Sequence, residues 1–474
     1  MNMQVSVTMR ALVLLLISTL LPIATTYAAQ ARVQTPPFER VQLPNGAVLL
    51  LMERRDVPLI SFDARVMGGA RLDAKDRFGT ADLLAGLLEK GADERDALAF
   101  AQTVASVGGA LSASASTEAI SVTGSFLSRD RQLMVELLAD MLQRPRLEEA
   151  ELQTLRARRI EFIRAAKDSE LSALTPIYGA AALFADHPYG NPVFGSESSL
   201  ARITAADVRA FYDNHVGADR LIIAVAGDFK SSEMKRLLSN AFGKWRKAGS
   251  ALPSIPMPSP ITQRRVLLVD APESVQSYFW MGNVAVSRAD PRRAALDVVN
   301  TVFGGRFTSM LNTELRIRTG LSYGARSGFD RLEQPGHWEM SSFTRTETTI
   351  EAIDLALATL DKLHQGALDA QALNSSKQYV LGQFPLGLET GTQWASQLAT
   401  VEQYRLGQRY IEEYTSALSG IELQDTKSVI NAVFPSSEEV LLVVIGKATT
   451  LRDALAKFGP ITEMKLADEQ WTAK

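Results

Sequence analysis

Hydrophobic residues recur along this chain at two spacings, one typical of strands and one typical of helices. Residues 119–126 alternate between apolar and polar, which predicts a half-buried strand, whereas residues 129–143 follow the 3.6-residue period of an amphipathic helix. A further helix is predicted over 93–107, and the region 350–433 is helical in pattern almost throughout. Runs of strands followed by runs of helices favour an α+β fold, with helices on one face of a mixed, mostly antiparallel sheet.

The chain contains two halves with similar patterns. The first half ends with an apolar strand at 221–227 and then a predicted helix, and the second ends with a strand at 441–446 and then another helix. The two strands close on Gly227 and Gly446. A repeat of this length indicates a duplicated domain, because the repeats of a solenoid span only about 20–50 residues. The sequence therefore predicts two homologous α+β domains.

A proline-rich segment separates the two halves. Residues 247–263 contain four prolines and no acidic residue, and prolines at this spacing prevent a helix. We place an N-terminal domain at 35–246, the linker at 247–263 and a C-terminal domain at 264–460.

The N-terminus has the pattern of a secretory signal peptide, which we assign to residues 1–31. Arg10 precedes an apolar run of 13 residues, which is shorter than the roughly 20 residues that a membrane-spanning helix needs. Small residues follow, so cleavage is expected after Ala28 or Ala31. An uncleaved N-terminal anchor is the alternative. We expect export to a bacterial periplasm and no integral membrane segment in the mature chain.

Composition excludes several classes of site. The 474 residues include four histidines and no cysteine, so disulfides, thiolate metal sites and cysteine nucleophiles are excluded. The chain has 50 Lys and Arg against 53 Asp and Glu, a net charge of −3, which gives no electrostatic reason to expect nucleic acid as a partner. The sequence also lacks the Gly-x-Ser-x-Gly motif of serine hydrolases.

Residues 79–91 have the frame of a metal-binding helix. They resemble the zinc helix of the pitrilysin/insulinase peptidases, the inverzincins, whose pattern is Gly-x-Ala-His-x-x-Glu-His with a further glycine five residues on. Gly79, Ala81 and Gly91 match this frame. The resemblance implies that the N-terminal domain has the fold of a zinc peptidase.

The same resemblance implies that the zinc chemistry is absent. In the family, the two histidines bind zinc and the glutamate activates the bound water. Asp82, Ala85 and Gly86 occupy those three positions, and neither alanine nor glycine offers a metal ligand. The family's third ligand would fall near Glu161, which we expect to be a solvated charge on a helix face. His187, in a His-Pro-Tyr-Gly turn also similar to the family's, is expected to be structural. We therefore expect this chain to bind no zinc.

The second half contains another motif of this family. Residues 304–323 combine a glycine-rich turn, a predicted helix that ends in Leu-Arg, and then Gly-Leu-x-Tyr, which resembles the family's C-terminal-domain signature. The hydrophobic pattern predicts a helix over 308–318 that Gly320 caps. The resemblance places Arg316 and Tyr323 on the family's Arg/Tyr pair. It implies that Arg316 binds a substrate carbonyl or carboxylate and that Tyr323 donates to the oxyanion.

The predicted elements also indicate how this pair is arranged. Arg316 lies in the last helical turn and Tyr323 at the start of the next strand, so the two side chains are expected to converge across the cap. Arg318 and Arg326 are expected to be surface charges. The glycines at 304–305 are interpreted as a turn that allows a close backbone approach, because no phosphate-binding motif accompanies them.

The resemblance covers about residues 35–460 and implies a division of labour between two chains. A homologous partner with an intact His-x-x-Glu-His motif would carry the zinc, and this chain would supply Arg316 and Tyr323. The two subunits would close like a clam shell around unfolded peptides. This chain would then be the non-catalytic subunit of a heterodimeric zinc endopeptidase. The alternative hypothesis is a pseudoenzyme that acts as a binding or scaffold protein without a peptidase partner.

Overall fold

Residues 33–472 are described by the structure, a computed structural model of the chain. The predicted signal peptide, 1–31, therefore lies outside the described residues. Among the helices of 33–472, none has both the length and the apolar character that a membrane crossing requires.

Six strands of the first half form one mixed sheet. They are β1 Phe38–Gln42, β2 Val48–Glu53, β3 Leu59–Met67, β4 Ala110–Ala115, β5 Ala119–Leu127 and β6 Leu221–Gly227. Their order in the sheet is β1-β2-β6-β3-β5-β4. Neighbouring strands are antiparallel except for β2 and β6, which are parallel. Every residue of β6 is buried, as its unbroken apolar sequence predicts for a strand covered on both faces.

The second half forms a similar sheet. Its strands are β7 Arg265–Asp270, β8 Gln276–Val284, β9 Ala325–Asp330, β10 His337–Arg345, β11 Leu441–Gly446 and β12 Ile461–Lys465. Their order is β9-β10-β8-β11-β7-β12, with β7 parallel to both of its neighbours. Strands β2 to β6 correspond in order to β7 to β11. The sixth strand differs, because β1 precedes the others in the chain and β12 follows them. The prediction of two homologous, mostly antiparallel sheets packed against helices is confirmed.

Helices make up most of the remaining chain. The first half contains α1 Thr80–Leu88, α2 Ala97–Ser106, α3 Arg131–Gln143, α4 Glu149–Ser169, α5 Leu171–Phe184, α6 Glu197–Arg202, α7 Ala205–His215 and α8 Ser231–Phe242. The second half contains α9 Arg293–Phe303, α10 Met310–Asn312, α11 Thr349–His364, α12 Ala370–Gln383, α13 Gly391–Gln403, α14 Arg409–Glu412, α15 Tyr414–Gly420, α16 Leu423–Val433 and α17 Ala448–Leu455.

Helix α2 begins later than the helix predicted over 93–107. A short hairpin, in which Gly91–Ala92 pairs with Arg95–Asp96, precedes the helix. The carboxylate of Asp96 accepts the N–H of Ala99 at 2.8 Å and so caps the first turn.

The two halves exchange helices. Helix α5 of the first half packs on β8 and β11 of the second sheet, and α13 of the second half packs on β3 and β6 of the first. Strand β2 shows how one strand serves two cores: Leu49 and Leu51 join the core of the first half, whereas Leu50 and Met52 join a separate cluster with Trp394 of α13. Helices therefore cover both faces of each sheet, and the expectation of helices on one face alone is wrong.

The close fit of α5 against the second sheet depends on a glycine. A Cβ atom on Gly179 would lie 2.7 Å from the ring of Trp280 on β8. This is closer than van der Waals contact allows, so a residue with a side chain would clash here. The two halves therefore share a packed core. The division into separate domains at residues 246 and 264 stays a prediction. The proline-rich segment 247–263 carries neither helix nor strand, and β12 extends the second sheet past residue 460.

Candidate functional site

Helix α1, which resembles a zinc helix, begins at the position that the sequence frame predicted. Gly79 precedes it at φ 96°, a left-handed conformation that favours glycine. The side-chain oxygens of Asp73 accept the N–H groups of Gly79 at 2.7 Å and Ala81 at 2.9 Å, which caps the helix. Burial raises the pKa of Asp73 to about 8, against the lowering effect of these hydrogen bonds.

An ion pair is formed at the position of the first histidine of the zinc motif. Asp82 is buried in the first turn of α1, and Nη2 of Arg159 on α4 donates to its Oδ1 at 3.0 Å and lies 2.7 Å from its Oδ2. Burial raises the pKa of Asp82, and the charge and hydrogen bond of Arg159 act in the opposite direction. A guanidinium therefore supplies the positive charge beside Asp82.

The other two motif positions supply no metal ligand and lie against packed side chains. Ala85 is fully buried, and a Cβ on Gly86 would lie 3.3 Å from the side chain of Leu155 on α4. Helix α4 therefore packs directly on the face of α1 from which a second ligand would project. Within residues 33–472, no group of three or more His, Asp or Glu side chains is arranged to hold a metal ion. These residues do not fit zinc; that the protein binds none stays a prediction for experiment.

Glu161 points away from this pair. Its side chain is exposed and pairs with Arg164 at 2.9 Å, as expected for a solvated charge. Arg159 is 77 residues after Asp82, close to the spacing implied for the third zinc ligand. Because the third zinc ligand of the family is a carboxylate, the sequence-based prediction named Glu161 and missed Arg159, although the spacing identified the right turn of the helix.

His187 has a structural place in its turn. Its Nδ1 accepts the N–H of Tyr189 at 3.1 Å, and its Nε2 lies 3.0 Å from the carbonyl oxygen of Pro256. The imidazole therefore links this turn to the proline-rich segment. With both nitrogens engaged, it has no free position for a metal.

The segment that carries Arg316 differs from the single α-helix predicted over 308–318. Ser309 caps the short α10, and the chain then continues as a π-helix over Thr313–Arg318. The hydroxyl of Thr319 donates to the carbonyl oxygens of Glu314 at 2.8 Å and Leu315 at 3.2 Å, which stabilises this wider turn. Such turns occur frequently at functional sites.

The predicted cap of this segment is confirmed. Gly320 follows the helix at φ 64°, the left-handed conformation typical of a glycine that ends a helix. The chain then reverses toward β9.

The structure brings Arg316 and Tyr323 together. The guanidinium carbon of Arg316 lies 4.4 Å from the ring centroid of Tyr323 and 4.8 Å from that of Phe307, so two aromatic rings stack on the cation. Tyr323 is 75% exposed and Phe307 is 57% exposed. Among the described residues, neither the guanidinium nor the phenol has a hydrogen-bond or ion-pair partner.

Phe307 is a site residue that the sequence analysis missed. It follows the Gly304–Gly305 turn, where a Cβ on Gly304 would lie 2.6 Å from the backbone nitrogen of Ser327 on β9. The close backbone approach expected of this turn is therefore present, and it carries Phe307 toward Arg316. An exposed aromatic residue directly after a glycine pair was the available signal.

A cleft of about 560 Å³ is lined in part by Gly324, the residue that follows Tyr323 in the chain. Its walls include Gly324 to Arg326 of the second half, and Ser172, Ala173 and Thr175 at the start of α5 in the first half. Arg326 lies in this wall and donates to the hydroxyl of Ser341 at 3.2 Å. Arg318 instead pairs with Glu314 on the exposed surface. Arg316 and Tyr323 themselves are not among the residues that line this cleft.

Comparison with family models identifies both halves of the chain. Residues 62–197 match the model described as insulinase (peptidase family M16), and residues 202–380 match the one described as peptidase M16 inactive domain. The chain belongs to peptidase family M16. The resemblance inferred from the two motifs is thereby confirmed, and in this M16 chain the zinc-helix positions hold Asp82, Ala85 and Gly86.

Similar M16 proteins have names of two kinds. An uncharacterized zinc protease of Mycobacterium leprae is 27% identical over 364 residues, which cover 77% of this chain and 82% of that protein. A Helicobacter pylori protein named non-peptidase homolog YmxG is 24% identical over 326 residues, covering 68% and 74%. The crystal structure of a peptidase M16 inactive domain from Pseudomonas fluorescens shares the fold, with a TM-score of 0.80, 22% identity, and coverage of 87% of this chain and 98% of that one.

Proposed function

We propose that this chain is the non-catalytic subunit of a heterodimeric zinc metalloendopeptidase in the periplasm. A homologous zinc-bearing subunit would complete the active site, and Arg316 and Tyr323 would bind the peptide and stabilise its transition state. The observation that carries the proposal is the stacked, exposed Arg316–Tyr323 pair, which has no partner among the described residues. The M16 zinc-helix positions filled by Asp82, Ala85 and Gly86 support assignment of the metal to another chain.

The two side chains suit two different moments of peptide hydrolysis. The planar guanidinium of Arg316 offers parallel N–H donors that can grip a peptide carbonyl or a carboxylate before reaction. Stacking between Phe307 and Tyr323 holds that plane, so little freedom is lost when the peptide binds. The phenol of Tyr323 can donate to the oxygen on which negative charge develops, and such a donor favours the transition state over the substrate.

The proposed partner and compartment can be tested by purification. We expect the tagged chain, expressed in its own host, to elute from the periplasmic fraction with a homologue that carries His-x-x-Glu-His. The chain alone should hold no stoichiometric zinc and should not hydrolyse peptides. The heterodimer should bind zinc and hydrolyse peptides. Elution without such a homologue, together with binding of intact proteins, would support the scaffold hypothesis instead.

The role of Tyr323 can be tested in the reconstituted pair. We expect Tyr323→Phe to lower kcat by about 100-fold, the loss typical of one oxyanion donor, while subunit association is unchanged. Tyr379→Phe is the matched control, because it removes the hydroxyl of another exposed tyrosine on α12. Equal kcat values for the two variants would reduce Tyr323 to a packing role.

A further inference from the structure

The chain crosses from the second half back to the first after its last strand. Strand β12 ends at Lys465, whose N–H donates to the carboxylate of Asp468 at 2.9 Å and whose carbonyl oxygen accepts the N–H of Asp468 at 3.0 Å. This turn directs residues 466–472, which we call the tail, away from the second sheet. The tail then lies against α4, α5 and α6 of the first half.

One side chain anchors the tail. Trp471 is 4% exposed and is the one buried residue of 466–472. Its indole N–H donates to the carbonyl oxygen of Gly195 at 2.7 Å, and its ring makes a T-shaped contact with Tyr178 of α5, with the centroids 5.0 Å apart. Such a contact adds to the apolar burial of both rings. A buried aromatic ring in an otherwise accessible segment is typical of a peptide that binds through one dominant residue.

The backbone of the tail is held at two further points. The ammonium of Lys167 on α4 donates to the carbonyl oxygen of Asp468 at 2.7 Å and lies 5.5 Å from the ring centroid of Trp471. The N–H and the hydroxyl of Ser198 on α6 donate to the carbonyl oxygen of Glu469 at 3.3 and 3.2 Å. Three helices of the first half thus each contribute a contact, and together they form a defined groove for the tail.

These contacts are those of a bound segment rather than of a permanent core. The tail carries neither helix nor strand, and segments with few buried apolar contacts open at a much lower free energy than the whole fold. The hydroxyl of Tyr178 is also buried without a hydrogen-bond partner among the described residues. An unpaired buried polar atom is costly, and water that entered the vacated groove would lower this cost.

From this arrangement we infer that the tail is a releasable strap, bound in cis to a groove of the first half that recognises a short segment through one indole ring. Because the tail begins in the second half, its docking joins the two halves and its release removes one of their connections. The inference is independent of the proposed function, since it involves neither the Arg316–Tyr323 pair nor a second subunit.

The test supplies the tail in trans. A variant that stops after Leu466 leaves the groove empty, and the acetylated and amidated peptide Leu-Ala-Asp-Glu-Gln-Trp-Thr, residues 466–472, is titrated into it by isothermal calorimetry. We expect the peptide to bind the shortened chain at least about 10-fold more tightly than the full chain. In the full chain the tethered tail competes at an effective concentration on the order of mM.

Substitutions then locate the binding. The same peptide with Trp471→Ala should bind the shortened chain at least about 30-fold more weakly, because it lacks the anchor. Lys167→Met in the shortened chain removes a charged donor and should weaken binding by about 10-fold. Lys235→Met is the matched control, because this partly exposed lysine of α8 pairs with Glu39 instead, and it should leave the Kd unchanged.

Two results would overturn the inference: equal affinity of the peptide for the full and the shortened chain, or no binding to the shortened chain. If circular dichroism shows that the shortened chain does not fold, the full-length variant Trp471→Ala takes its place, and the peptide should bind this variant more tightly than the wild type. Failure of both variants to fold would show that Trp471 belongs to the permanent core, which also overturns the inference.

Discussion

Removal of the Arg159 side chain would measure how strongly the Asp82–Arg159 ion pair holds α1 against α4. The Asp82 side chain is 7% exposed and that of Arg159 is 32% exposed, so the pair lies between the surface and the buried limit. An exposed pair contributes about 0–1 kcal/mol, whereas loss of one partner from a buried pair costs about 3–5 kcal/mol. We expect Arg159→Met to lower the free energy of unfolding by about 2 kcal/mol at neutral pH.

The pH dependence of this loss has a definite sign. Burial raises the pKa of Asp82 and Arg159 opposes the rise, so removing Arg159 raises the pKa further above its value of about 3.9 in the unfolded chain. A raised pKa means that the folded variant binds the proton more tightly than the unfolded chain. The proton therefore stabilises the variant at low pH, and this stabilisation disappears as the pH rises. The destabilisation should be smaller at about pH 5 than at about pH 8.

Urea unfolding followed by circular dichroism at the two pH values measures this difference. The double variant Asp82→Leu/Arg159→Met removes both charges and should recover most of the loss, because an apolar pair can replace a buried ion pair. Glu161→Ala removes an exposed charge of the same helix and should change stability by less than about 0.5 kcal/mol. A similarly small effect of Arg159→Met, or a loss that grows on acidification, would refute the view that this pair links the two helices.

Three further predictions concern the site and the cap of α1. Arg316→Lys removes the planar group between two rings and should lower kcat/KM of the reconstituted pair by about 10-fold; wild-type kinetics would count against direct substrate contact. Phe307→Ala leaves one face of the guanidinium uncovered and should raise KM more than it lowers kcat, and an unchanged KM would show that Phe307 does not position Arg316. Because the pKa of Asp73 is about 8 in the folded chain, the wild type should lose stability as pH rises from about 4 to 8, by up to roughly 1.4 kcal/mol per unit. Urea midpoints of Asp73→Asn should show a flatter profile, and a slope equal to that of the wild type would contradict this origin.

The local hydrophobic pattern was sufficient to predict three of the strands. The strand predicted at 119–126 is β5, Ala119–Leu127, and the apolar segments at 221–227 and 441–446 are β6 and β11 as expected. The register of β5 follows from its alternation, because a shift by one residue would turn every apolar side chain to the other face. The glycine at position 320 likewise indicated a helix end, and it has the left-handed conformation typical of one.

Contacts between distant segments were not predictable in this way. Nothing in the pattern of α5 shows that it packs on the second sheet, because an amphipathic helix fits any apolar surface of suitable shape. The pairing of Asp82 with Arg159 joins two helices across 77 residues, and neither residue is unusual alone. The π-helix at Thr313–Arg318 depends on a competing hydroxyl at Thr319, which the 3.6-residue period does not reveal.

The Asp82–Arg159 ion pair and the stacked Arg316–Tyr323 pair differ in burial, and the difference separates their roles. Asp82 is buried and forms an ion pair with Arg159, as expected of groups that serve the packing of α1 on α4. Arg316 and Tyr323 instead lie at the surface without hydrogen-bond partners among the described residues, beside the exposed ring of Phe307. Exposing apolar ring surface in this way contributes little to folding, whereas a held guanidinium and a free phenol are useful to a ligand. The first half of this chain therefore keeps the packing of a zinc helix with Asp82, Ala85 and Gly86 at the motif positions, and the second half keeps an exposed arrangement to which the proposed function assigns the peptide.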